Sequence, residues 1–464
     1  MASSSVLDRY KCGLKLPEFG LTGRLGESSG YFRLGPDMIC YGRLTEDTST
    51  QLGGTLVNAF QCVQHNEDTI CLPFDANQIQ DDLRFERYAS ASSWQRWVET
   101  WMKRVYYGLR PVLPDSLRRQ LQRSYLLDRQ DTRNFPNWPV DRTADILLEK
   151  LLALAMQSSK MDRIPFIWFW PDGYKAAAIL THDVETTAGR NFCESLMDLD
   201  DEFGIKSSFQ VVPEKRYTVS PAYLESIRSR GFELNIHGLD HEGDLFQNRA
   251  RFIECAKKIN SYAEMFGSRG FRSPCFYRNA DWFRDLNFSY DMSFPNVAHL
   301  EPQQGGCCTV LPYFLPGGIL EIPLTTTEDH TLFHLLEDYS MKLWKQQINR
   351  ILEGHGLINV LVHPDYVIAE RARSAYMALL EEMCQLGSKG QVWLTLPGEV
   401  DRWWRRREGM RLVHNGCKWR IEGRGNERAR IAYACLDGDR LVYELEPSRP
   451  SYAQEEKVGK TTLQ

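Results

Sequence analysis

The 464 residues contain no run approaching the ~18 consecutive apolar residues of a membrane span, so no bilayer-crossing helix is expected. The opening, MASSSVLDRYKCGLKLPEFG, lacks the apolar segment of a secretory signal, and a cytoplasmic location is expected on that basis. Charge of one sign is lacking too. Fifty-six basic and 61 acidic residues leave a formal net charge of -5, which gives no global field for nucleic acid. The 12 cysteines include no C-x-x-C pair, and only Cys307 and Cys308 are neighbours, so reduced thiols are expected rather than a disulfide framework. Internal repeats and low-complexity tracts are also missing. What remains is a soluble chain long enough for two or three domains of the usual ~150 residues.

Three compositional regions divide it. Residues 1–172 show no regular alternation: the strand-like pieces GGTLVNAF and TICLPF precede a helical stretch from Trp94 to Tyr107. A basic amphipathic segment follows over Leu117–Leu127, suited to peripheral membrane contact, to a partner, or simply to covering its own protein. From residue 173 strands and helices alternate. KAAAILTHDVE, SSFQVV, FELNIH, INVLVHP and QVWLTL read as strands. Between them lie helices, one closed by Gly204, one with Ser220 at its N-cap and Pro221 in its first turn, and longer ones over about 245–266 and 331–352. Such alternation predicts a parallel sheet or barrel over 173–400. Residues 401–464 read as a small β module with Asn-Gly and Asp-Gly turns.

Chemistry gathers where the predicted strands run out. His237 and His241 stand four apart in ELNIHGLDH, but Gly238 is a poor helix former, so a loop beyond a strand is the better reading than a metalloprotease-type helix. In ILTHDVET, Asp183 and Glu185 lie two apart on a strand and face one side, while His182 and Val184 face the other. One carboxylate and two imidazoles would leave a coordination position open, as catalytic zinc sites do. The plainer alternative is a helix cap or a solvated strand end. Arg272 in GFRSPCFYRN can hold a carboxylate through a bidentate fork or sit in a surface ion pair. His363, ending INVLVHP, can be a general acid or a satisfied core histidine.

Taken together and in this order, GFELNIHGLDH, ILTHDVET, FRSP, SYDMSFP and INVLVHP resemble the motifs of the polysaccharide deacetylases of carbohydrate esterase family 4, the NodB-like group. The resemblance covers roughly residues 173–400. It implies an α/β fold, a distorted (β/α)7 barrel, to which the residue patterns on either side add an N-terminal α+β region and a small C-terminal β module. It also implies one divalent metal ion, usually zinc, at the C-terminal ends of the strands. Carried over, Asp183 is the base, His237 and His241 are metal ligands, Arg272 holds Asp183, His363 is the acid, and the backbone N–H of Cys275 is an oxyanion donor. The family's common pattern has two adjacent aspartates. Here Val184 occupies the second position, and Glu185 becomes the expected third ligand.

The function implied is removal of N-acetyl groups from an acetamido sugar or glycan precursor, with a saccharide as substrate. Hydrolysis of another non-peptide C–N amide bond is the alternative within enzymes; a catalytically silent glycan-binding protein is the alternative outside them. Trp282 and Trp393 suit a core better than a sugar platform. Trp403 and Trp404, among Arg402, Arg405, Arg406 and Arg407, fit either a glycan-binding rim or a latch onto the barrel.

Overall fold

The computed structural model describes residues 7–90 and 135–446, apart from positions 37, 46–51, 53, 67–68 and 439. The stretches expected to be helical over Trp94–Tyr107 and Leu117–Leu127 lie outside the described residues.

Seven strands run side by side in the order Leu320–Glu321, Tyr290–Asp291, Gly270–Arg272, Glu233–His237, Ser208–Val211, Ala176–Val184 and Leu357–Leu361, each parallel to its neighbour. A further strand, Val392–Leu394, pairs with the beginning of Ala176–Val184. Tyr313–Phe314 adds an antiparallel edge to Leu320–Glu321. Helices Thr187–Glu202, Pro221–Ser229 and Arg249–Phe266 carry the chain back between successive parallel strands, as that arrangement demands. This is the distorted (β/α)7 barrel.

Among the described residues no backbone ladder joins its first and last strands. One backbone bond, from the Thr326 N–H to the Asn359 carbonyl at 3.3 Å, and several side chains close the gap. Asn359 Nδ2 donates to the carbonyls of Ile322 and Pro323 at 3.3 and 3.1 Å. The hydroxyls of Thr325 and Thr326 donate to the carbonyls of Leu357 and Asn359 at 2.7 and 2.9 Å.

Successive strand residues point to opposite faces, and the two faces have different coverings. Ala176, Ala178, Leu180 and Val184 pack outward among the barrel helices. Ala177 and Ile179 pack inward, in one cluster with Trp168, Phe169, Trp170, Met156, Trp403 and Trp404. Chain from before and after the barrel therefore fills the lower part of its inner face. The two ends also share a sheet, since Arg163–Ile167 pairs antiparallel with Ile431–Asp437.

Local signals explain most boundaries. Ser220 accepts the N–H of Tyr223 and Thr186 that of Gly189, each starting a helix, while Gly204 adopts the left-handed φ of +66° expected beyond a helix end. Three expectations are corrected. The single helix expected over 331–352 is a π-helical turn, His330–Leu335, followed separately by Lys342–Glu353. Asp338 Oδ1 accepts the N–H of Ser340, and Ser340 Oγ that of Lys342, so local side chains compete with the helix between them. DRWWRRRE belongs to a helix, Pro397–Glu408, not to the β module. Its proline at the first turn starts the helix. Hairpins with the expected Asn-Gly and Asp-Gly turns follow it, Arg411–His414 with Trp419–Glu422 and Ile431–Asp437 with Arg440–Leu445. In GGTLVNAF the structure forms a short 3-10 turn, Ala59–Cys62, capped by Asn58.

Candidate active site

Thr181 and Asp183 continue the inward-facing row of Ala177 and Ile179, and Glu185 follows where the strand ends. Above the apolar packing the inner face thus turns polar. The cap of the next helix is Thr186, which leaves Asp183 and Glu185 for other work.

Glu185 Oε1 lies 2.8 Å from His241 Nε2, 3.3 Å from His237 Nε2 and 3.4 Å from His363 Nε2. Burial would raise this carboxyl, but the facing charges of His241 and His363, with hydrogen bonds from His237 and His241, hold it well below the usual carboxylate range. Ligand atoms of Glu185, His237 and His241 lie within 4.8 Å of one another, as do those of Asp183, Glu185 and His363. The donor set fits a divalent cation chemically, with two imidazole nitrogens and a carboxylate oxygen converging on one spot. His237 is prepared for that role. Its Nδ1 faces the Arg272 carbonyl at 3.1 Å, so with a cation in the cluster the proton would sit on Nδ1 and the Nε2 that points into the cluster would be free to ligate. His241 is placed by its backbone: φ is +57°, and Arg216 Nη2 donates to its carbonyl at 2.6 Å.

Gly238 makes the short approach possible. Its φ is +63°, and a Cβ there would lie 2.5 Å from Pro274 Cγ. A larger residue would push the histidine loop off the turn that carries Cys275.

Arg272 is fully buried, so the surface-pair alternative does not hold. The expected bidentate fork is absent as well. Nη1 alone reaches Asp183 Oδ1 at 3.0 Å and is shared with the Thr181 hydroxyl at 2.8 Å, while Nε donates to the Met292 carbonyl at 3.0 Å. The guanidinium thus ties three strands together and contributes one charged hydrogen bond to Asp183.

His363 is 5 % exposed and opens toward Glu185 rather than into the core. Asp329 grips it twice: Oδ1 lies 2.7 Å from Nδ1, and Oδ2 accepts the backbone N–H at 2.7 Å. Burial opposes protonation, but the Asp329 and Glu185 carboxylates hold the imidazole well above its ordinary value. A cation on Glu185 would remove part of that support. Asp329 also opens the π-helical turn, accepting the N–H of His330 at 2.9 Å. Sequence reading passed over it, because a lone aspartate in TTTEDH carries no spacing signal.

The turn after Arg272 is unusual. Cys275 and Phe276 have φ of +54° and +52°, sparsely populated values for non-glycine residues. His182, by contrast, faces outward as expected. Its Nδ1 is 2.8 Å from the Val362 carbonyl, and its ring packs on Phe209 and Tyr376. Trp393, Trp403 and Trp404 are all buried. Trp403 Nε1 donates to the Phe169 carbonyl at 2.8 Å and Trp404 lies 5.5 Å from the Trp170 ring, so this pair is a latch and not an exposed sugar platform.

Polysaccharide deacetylases are among the solved structures to which this one is similar. One is a candidate polysaccharide deacetylase from Mycobacterium smegmatis, at 20% identity and a TM-score of 0.43, over 52% of this chain and 93% of that one. Another is the peptidoglycan deacetylase PdaC from Bacillus subtilis, at 14% identity and a TM-score of 0.33, over 50% and 94%. The Puue allantoinase is similar at 15% identity and a TM-score of 0.40, over 51% and 92%. No protein-family model and no curated protein matches the sequence.

Proposed function

We propose that the chain is a metal-dependent hydrolase that removes N-acetyl groups from an acetamido sugar or glycan precursor. One observation carries the reading: Asp183, tied to Arg272, and His363, tied to Asp329, both border the cluster of Glu185, His237 and His241. A binding protein has no need for a positioned base and a positioned acid together.

A divalent cation such as zinc, held by Glu185, His237 and His241, would supply Lewis-acid polarisation of an amide carbonyl and acidify water. The chain's own groups do the rest. Asp183 takes the proton of the attacking water, and its single bond to Arg272 keeps the accepting carboxylate in place. The Cys275 N–H donates to the oxygen that becomes negative in the tetrahedral intermediate. His363, kept protonated by Asp329, delivers a proton to the departing amine. Without that proton the amine is too poor a leaving group.

Purified full-length chain, loaded with zinc, is to be incubated with N-acetylglucosamine oligomers while acetate and ammonia are both measured. Acetate release that disappears on chelation and returns with zinc supports the reading. Ammonia from a small amide, without acetate, moves the chemistry to another non-peptide C–N bond. Bound zinc with neither product leaves a silent binding protein.

A further inference from the structure

We infer that Glu86, from the segment preceding the barrel, is a positioning residue for the turn that carries the oxyanion donor. It acts through Arg278.

Glu86 lies just beyond the helix Ala76–Arg84, at a left-handed φ of +56°, and is 5 % exposed. Its carboxylate accepts two bonds from the Arg278 guanidinium, one from Nε at 2.6 Å and one from Nη2. Arg278 is itself 4 % exposed, and Nη1, the remaining arm of the guanidinium, donates to the Phe276 carbonyl at 2.6 Å. Phe276 and Cys275 are the two left-handed residues of the turn Pro274–Phe276. A guanidinium is planar, so fixing its Nε and Nη2 on Glu86 fixes where Nη1 points. The direction of the Phe276 carbonyl follows.

A second set of contacts locks the same place. Glu86 Oε1 also accepts the N–H of Gly306 at 2.6 Å. The Gln303 side chain exchanges two bonds with the Arg278 backbone, its Oε1 accepting the N–H at 2.9 Å and its Nε2 donating to the carbonyl at 3.0 Å. Gly305 leaves the room: a Cβ there would stand 2.8 Å from Glu86 Oε1. Burial works against the Arg278 cation, yet the Glu86 carboxylate keeps its pKa above the ordinary value. The two consecutive left-handed residues need an outside hold, because such a conformation persists only where its surroundings over-determine it. Glu86 and Arg278 are that hold. The barrel thus borrows part of its active-site geometry from chain outside the barrel.

The catalytic consequence rests on the deacetylase reading above; the conformational one does not. The test uses the full chain and two readouts. The first is the rate at which iodoacetamide alkylates Cys275, read on its peptide by mass spectrometry, with fully buried Cys193 as the control for global opening. Glu86→Gln is expected to raise Cys275 labelling several-fold while Cys193 stays protected. The second is acetate release: kcat is expected to fall roughly ten- to a hundredfold with KM within about twofold and metal content unchanged, the pattern of a lost transition-state contact. Unchanged Cys275 labelling overturns the inference whether or not the wild type releases acetate. Changed labelling in a chain that never releases acetate keeps the hold and overturns only the deacetylase reading. Should Glu86→Gln expose Cys193 as well, Arg278→Lys replaces it, keeping the charge but not the planar fork, with the same two outcomes deciding.

Discussion

Along the strand Ala176–Val184 the inward-facing residues change character within two turns of the pleat. Ala177 and Ile179 lie fully buried among Trp168, Phe169 and Trp170, whereas Thr181 and Asp183 lie equally buried among Arg272, His237 and Glu185. Burial is the same, and the partners differ. Below, apolar side chains from chain outside the barrel exclude water and hold the strands together. Above, the charges have partners within hydrogen-bonding distance, and Glu185 and His241 are partly exposed. The difference teaches that depth does not distinguish a core from a site here; the kind of partner does.

Breaking the upper half should leave the lower half intact. Asp183→Asn is expected to lower acetate release by a factor of ~100 to 10,000, since the amide cannot accept the water's proton. Zinc content and melting temperature should hold, as measured by elemental analysis and calorimetry. A variant that kept near-normal turnover would make Glu185 the base instead.

Breaking the lower half should do the reverse. Trp170 is fully buried, packs at a tilt against Trp404 and donates to the His355 carbonyl at 2.7 Å. Trp170→Ala is expected to cost about 3 to 5 kcal/mol of stability by denaturant unfolding. Turnover per folded molecule should be nearly unchanged, and a large loss of turnover would mean that the two halves are coupled.

Two smaller effects sharpen the boundary. Asp329→Asn removes a carboxylate that holds His363 above its ordinary pKa. Rates are expected to fall about tenfold to a hundredfold, as when a histidine loses its outer partner. His363 must be protonated to act as the acid, so with its pKa lowered the alkaline fall of the rate profile should move to lower pH. The smallest effect is at Glu301, where burial pushes the carboxyl up to about 7 against the opposing pull of Arg278 and His363. In the unfolded chain this group titrates near ~4.3. Its folded form therefore binds the extra proton: the contribution to stability is full below that lower value and is lost as pH rises through about 7. Glu301→Gln should flatten the decline in melting temperature across that window by a few degrees, read in a pH series of thermal scans.

Much of the site was legible because its residues sit at regular strand positions. The two-residue period placed Asp183 and Glu185 on one face and His182 on the other, and a strand running into Gly238 made a loop of the histidine pair. Where the reading slipped, competition that the residue pattern does not announce was the cause. Arg272 makes one bond to Asp183 and not a fork: the Nη1 that reaches it is shared with Thr181, and Nε turns to the Met292 carbonyl, both neighbours only in space. The helix expected through 331–352 broke where Asp338 took the N–H of Ser340 and Ser340 that of Lys342. DRWWRRRE went to a helix whose tryptophans needed the inner face of the barrel.

Periodicity, capping residues and turn glycines are local, and the order of strands and helices with the row of candidate ligands followed from them by sequence alone. Partners far apart in the chain are not local. Asp329 beneath His363, Asn359 closing the barrel across Pro323, and Glu86 reaching Arg278 over 192 residues of sequence were decided only when the chain had folded. A buried charge accepts whichever counter-charge the packing brings near, and no spacing along the chain announces which one that will be.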